Sequence, residues 1–195
     1  MLLPHFTNKH GGREQVSRDY IKLHALVGTK TNVIAAASIT DRDRHDYNEF
    51  APLLTEGAKS VTMAEVSADK AYIGQTNLDA AAAVGAEVYI PFKSNMVDHP
   101  KSPLWTKLFH LYSYRQDEFL PPYHKRSNSE STFSAMKRVF GETLRSNLVP
   151  AQVNELLLKV IAFNITRMIH SIFELGVMVP GISKSTQAAL TACGG

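Results

Sequence analysis

Cysteine is nearly absent from this chain: Cys193 is the single one in 195 residues. No intrachain disulfide and no thiolate metal cluster can form, and a reducing, cytoplasmic setting is expected. A glycine-rich phosphate loop and a nucleophile elbow are both missing. His24, His45, His99, His110, His124 and His170 are scattered without metal-ligand spacing. The N-terminal text MLLPHFTNKHGGR has no apolar run of signal-peptide length. The most apolar stretch, 156–173, is interrupted by Lys159, Asn164, Arg167 and His170. That composition predicts a buried core helix and no membrane association.

What is there is an ordinary globular composition, 44% hydrophobic and 20% charged, over a length that suits one domain. The formal net charge is only +3, but it is concentrated. Residues 121–146 hold Lys125, Arg126, Lys137, Arg138 and Arg145 against Glu130 and Glu142, and five minus two accounts for the whole +3. Such a segment suits a solvated helix face or a surface that neutralises phosphates.

Hydrophobic periodicity orders the chain. YIKLHALV (20–27) and VIAAASIT (33–40) read as strands joined by a turn at 29–32, hence a hairpin. Asp46 is placed to cap a helix ending near Gly57. SVTMAEV (60–66) reads as a strand, 75–84 as an alanine-rich helix closed by Gly85, and EVYIPF (87–92) as a strand. Residues 104–119 read as one helix, which Pro121-Pro122 separates from the next. A long helix over 149–175 precedes a tail of small and polar residues, 177–195, expected to be flexible. A hairpin followed by helix–strand alternation implies a mixed α/β sheet with helices on its faces. Asp69 then falls just past a strand's carboxyl end, where ligands gather in such sheets, although a turn-capping role fits the same position.

The stretch YHKRSNSESTFSAMKRVF (123–140) carries two readings. Ser127 and Glu130 have the spacing of a capping box, which needs no further function. Alternatively, at about 100° per residue, Tyr123, Arg126, Glu130 and Lys137 share a sector of about 60°, provided the helix begins by Tyr123. With a start at Ser127, only Glu130 and Lys137 keep that relation. Phe133, Met136, Val139 and Phe140 form a separate apolar face beside it.

Tyr123-x2-Arg126-x3-Glu130-x6-Lys137 resembles the YREK signature of DDE transposases of bacterial insertion sequences, the insertion-sequence-four type. VSADKAYIG around Asp69 resembles the segment with that family's second catalytic Asp. YIKLHALV, EVYIPFK, RSNSESTFSAMKRVFGETLRS and NELLLKVIAFNITRMI resemble family text in the same order, over about 18–176. The resemblance implies a ribonuclease-H-like fold and transposition of DNA, with cleavage and strand transfer by two-metal phosphoryl transfer. Asp69 and Glu130 would be catalytic carboxylates and ligands of two Mg²⁺ or Mn²⁺ ions. Tyr123, Arg126 and Lys137 would contact DNA, and the basic Lys125, Arg138 and Arg145 would assist. The partners implied are transposon-end and target DNA, and a second copy or an intact transposase.

The family's first Asp sits on a first strand before the hairpin, and MLLPHFTNKHGGREQVSRD shows no apolar strand carrying one; only Asp19 precedes Tyr20. Asp41, Asp43 and Asp46 follow the far hairpin strand, about 10 Å away, too far to substitute. The expected object is therefore a partial ribonuclease-H-like domain over 1–176 that lacks its first strand. Its own N-terminal segment, direct strand pairing or another molecule's strand would have to fill the slot. Two functions follow: the C-terminal portion of a transposase catalytic domain, or an inactive remnant that binds DNA or associates with and inhibits an intact transposase.

Overall fold

The computed structural model describes residues 5–8, 20–99 and 102–173. Six strands and six α-helices run β1 (His5–Asn8), β2 (Tyr20–Val27), β3 (Ile34–Thr40), α1 (Phe50–Gly57), β4 (Glu65–Ser67), α2 (Gln75–Ala83), β5 (Glu87–Tyr89), α3 (Pro103–Tyr114), α4 (Gln116–His124), α5 (Ser127–Phe140), β6 (Thr143–Leu144) and α6 (Val149–Phe173). The expected tail, 177–195, lies outside the described residues.

The hairpin of β2 and β3 is the wall around which the rest assembles. It is antiparallel from Lys22–Thr40 to Val27–Ile34, with a bulge between Leu26 and Val27. Its turn is closed by the Gly28 N–H on the Val33 carbonyl and the Asn32 N–H on the Gly28 carbonyl, both 2.9 Å. Asn32 takes the left-handed conformation, φ 57°, which Asn tolerates better than most residues. Strand alternation gives the wall two faces. Ile21, Leu23, Ala25 and Val27 join Phe133, Met136, Leu156, Val160 and Phe163 of α5 and α6 in one core. Leu26 and Ala36 belong to the other core, with Phe50, Leu53 and Leu54 of α1. Burying both faces explains why the hairpin text is so poor in charge.

The two sheets are separate. One has the order β3-β2-β1-β6, the other pairs β4 with β5 in parallel. A short strand without an Asp does precede the hairpin. His5–Asn8 lies antiparallel to β2, Phe6 opposite Ile21, and parallel to β6, Asn8 opposite Leu144. The chain's own N-terminal segment thus pairs with β2 on one edge and β6 on the other, and not with β4. HFTN has too little apolar character to read as a strand; backbone pairing on both edges makes it one. Among the described residues, β4 has β5 alone as a strand partner.

Local expectations needed three further corrections. The 104–119 helix is two, because Arg115 departs from helical geometry (φ −130°, ψ 55°), and Pro121 and Pro122 lie inside α4. Asp46 caps nothing and instead meets Lys22 at 3.3 Å. The capping box does not form: Arg126 occupies the cap position, and the Ser127 hydroxyl donates to the His124 carbonyl at 2.9 Å.

Candidate functional site

Asp69 follows β4 by two residues, at its carboxyl end. Ala68, 1% exposed, fixes the approach by donating its N–H to the Tyr89 carbonyl at 3.3 Å. The Asp69 backbone is extended, and its Oδ1 accepts the Ala71 N–H at 3.2 Å, opening a 3-10 turn over Lys70–Tyr72. The turn-capping role is therefore real, and it leaves Oδ2 pointing elsewhere. Tyr72 is buried under this turn, and burial, helped by the carboxylates of Asp46, Asp69 and Glu49, pushes its hydroxyl well above the usual tyrosine range.

The second half of the site comes from the junction of α4 and α5. Lys125 and Arg126 keep right-handed helical dihedrals (φ −58°, ψ −18° and φ −57°, ψ −30°). Helical dihedrals therefore continue through the two residues between the helices. Tyr123, Arg126 and Glu130 consequently stay on one side even though α5 starts at Ser127. Tyr123 stacks on the buried Phe119, with ring centroids 5.5 Å apart and planes at 24°. The Arg126 guanidinium lies 5.7 Å from the Tyr123 ring centroid, a cation–π arrangement.

Arg126 is the centre of the arrangement. Its Nη2 is 3.0 Å from Glu130 Oε1, and its Nη1 is 3.8 Å from Asp69 Oδ2. The Arg126 side chain is only 19% exposed, while those of Asp69 and Glu130 are more than 40% exposed. Two half-exposed carboxylates thus face solvent across a partly buried cation. Lys137, two turns along α5, reaches Glu142 at 3.5 Å. Lys125 is drawn to Glu65 at 2.6 Å. Arg138 is exposed on α5. Arg145 is exposed past β6, where its backbone N–H is held by the Glu155 carboxylate. Asp69, Tyr123, Arg126 and Glu130 are therefore brought together, whereas Lys125 and Lys137 pair with Glu65 and Glu142, and Arg138 and Arg145 are exposed.

Three carboxylates are needed to hold two hard cations in the way the sequence suggested. Among the described residues no group of three His, Cys, Asp or Glu side chains could hold a metal ion. Asp41 accepts the Arg44 N–H at 2.9 Å, Asp43 meets Arg42 at 3.4 Å, and Asp46 meets Lys22, so none turns to the site. Asp19 lies outside the described residues. The described residues do not by themselves fit a complete two-metal centre, and the Arg126 guanidinium contacts both the Asp69 and the Glu130 carboxylate.

Sequence reading missed a neighbouring feature. A cavity of about 470 Å³ is lined by Lys70, the residue after Asp69, with Phe92, Lys93, Phe109 and Tyr112 among others. Lys70 and Lys93 are both exposed and follow β4 and β5 at their carboxyl ends. The signal was available in ADK and PFK, each a lysine just past a strand, but their convergence depends on the parallel pairing of the two strands.

A family model described as the transposase DDE domain matches residues 3–165. No curated protein and no solved structure matches the chain.

Proposed function

Because the chain belongs to the transposase DDE domain family, we propose that it acts on DNA in transposition as a domain of the insertion-sequence-four type, holding phosphates without cutting. Tyr123, Arg126, Glu130 and Lys137 are its YREK residues, and Asp69 and Glu130 are the second and third carboxylates of the triad. The frame is the ribonuclease-H-like one: an antiparallel hairpin wall, a strand beside it, and Asp69 at a strand's carboxyl end. The observation that carries the reading is the Asp69–Arg126–Glu130 cluster, in which two carboxylates converge on one cation and, among the described residues, no third completes a metal-holding group.

Each side chain has a part in this. Tyr123, rigid against Phe119, fixes the plane on which Arg126 rests. Arg126 offsets the repulsion that Asp69 and Glu130 exert on an approaching phosphate, and presents a planar donor set to it. Lys137, Lys125, Arg138 and Arg145 extend the positive surface along and beyond α5. Lys70 and Lys93 extend it past Asp69 on the other side. Mg²⁺ or Mn²⁺ chemistry requires a third ligand that these residues do not supply, so no cleavage step is assigned to them.

The test incubates the purified chain with duplex DNA carrying transposon-end sequence, with Mg²⁺ or Mn²⁺. The expected result is salt-sensitive binding and no nicking. Metal-dependent nicking that disappears in Asp69→Ala would overturn the assignment, because the site would then hold a working metal centre. Loss of DNA binding altogether would remove the phosphate-holding role.

A further inference from the structure

Among the described residues, helix α6 is docked by one side only. Leu156, Val160 and Phe163 are buried against the hairpin wall, at 0%, 6% and 1% exposure. Asn164 fastens the same side to Ile34, donating to its carbonyl and accepting its N–H at 2.8 Å each. The sequence-based expectation of a buried core helix thus holds for half of α6.

The opposite side is apolar too. After the polar Asn154, the apolar Leu158, Ile161, Ile165, Met168 and Ile172 follow at spacings of four, three, four, three and four, the alternation of a heptad seam. At about 100° per residue they fall within a sector of roughly 80°, which Leu157 and Ile169 border. Glu155, Lys159, Arg167 and His170 all lie outside that sector. Leu158, Ile161, Ile165 and Met168 are each more than half exposed.

We propose that this seam of α6 is the site at which a second copy of the chain docks, helix against helix. Three observations favour a copy over other occupants. First, the area is adequate: the exposed apolar face is on the order of 600 Å², at the top of what a monomer displays, and two such faces reach about 1,200 Å², the lower end of stable interfaces. Second, a twofold interface sets a surface against itself, and a seam without charge meets no like charge in its copy. Third, the spacing reads the same from either end. Two antiparallel α6 helices can therefore set Ile161 opposite Ile165 and Leu158 opposite Met168 in four apolar layers, with the polar Asn154 opposite Ile172 only at the two ends. The length and hydropathy of α6 would also suit a membrane span, but the buried side and the Asn164 anchor commit half of its circumference to the protein.

The inference does not depend on the DNA-binding reading, and its test uses the full chain. Light scattering after size-exclusion chromatography, at several micromolar concentrations, should show a dimer. Ile161→Asp and Ile165→Asp, at half-exposed positions that the fold does not need, should shift it to monomer. Val139→Asp, exposed on α5, should leave the dimer intact. As a readout that needs no disruptive change, Ile161→Cys in a Cys193→Ser background should react more slowly with a thiol reagent as protein concentration rises. The proposal fails if the parent is monomeric throughout, as when its own residues 174–195 cover the seam. It fails equally if the dimer survives both Asp variants, if labelling ignores concentration, or if the chain partitions into neutral lipid vesicles instead of pairing.

Discussion

The guanidinium of Arg126 lies 3.0 Å from the carboxylate of Glu130, four residues on, across the point where α4 gives way to α5. The pair holds opposite charges at the rim of a surface proposed to receive phosphates, so removing either member should have opposite effects. Arg126→Ala should weaken DNA binding several-fold at low salt and reduce the slope of log affinity against log salt by about 0.9. Glu130→Ala should strengthen binding, because it removes a repelling carboxylate and releases Arg126. Filter binding or fluorescence anisotropy over a salt series checks both signs. Equal weakening by both changes would mean that the pair is structural.

Asn164 supplies to Ile34 the two hydrogen bonds that a neighbouring strand would otherwise give at the sheet's outer edge. Asn164→Leu keeps the volume and leaves an N–H and a carbonyl without partners. Each unsatisfied buried group costs about 1–3 kcal/mol, discounted here because the site is only partly buried. A loss of about 2 kcal/mol in urea denaturation is expected, with no change in the slope against denaturant. A change below about 0.5 kcal/mol, the scale of ordinary surface substitutions, would show that water replaces the side chain without cost.

Gly74 closes the loop that carries Asp69, and a Cβ there would stand 2.5 Å from the Tyr47 ring. The backbone is extended, so the obstacle is space rather than dihedral strain. Gly74→Ala should cost about 1–3 kcal/mol, the usual range for overpacking. Gly74→Ala combined with Tyr47→Leu should cost less than the sum of the two single changes, which a double-mutant cycle measures.

Acid should destabilise the protein in two stages. Burial holds the ionisation of His24 below its ordinary value of 6.5, against the opposing pull of Glu49 and Asp46. The folded state therefore resists a proton that the unfolded chain accepts. This contribution is intact above pH 6.5 and falls away below it, at up to about 1.4 kcal/mol per pH unit. Burial pushes Glu49 upward, but hydrogen bonds from Ser38 and Arg44 outweigh it and set the net value below 4.5. The stability from Glu49 is present above pH 4.5 and disappears as pH falls through its lowered folded value. The melting temperature should be level near neutrality, decline from about pH 6.5, and decline further below about pH 4.5. His24→Gln should flatten the first stage and leave the second.

The amino-acid sequence by itself determined what depends on near neighbours. The alternation of YIKLHALV, the glycine that closes α2 with φ 75° at Gly85, the apolar face of α5 and the position of Asp69 past a strand were all legible. These properties follow from side-chain period and backbone stereochemistry over a few residues, which any copy of the text carries. Tertiary structure alone decided the rest. HFTN became a strand because β2 and β6 offered it two edges, and nothing within four residues encodes that. Glu130 could have answered Ser127 in a capping box. It met Arg126 instead, because the near-helical junction after α4 set the guanidinium between Glu130 and an Asp69 brought in from a distant strand. The seam on α6 has the same period whether buried or bare; only the docking of its other side on the hairpin left it exposed. Propensity acts along the chain, whereas edge pairing, charge pairing and burial act through space, and they depend on which distant segments arrive.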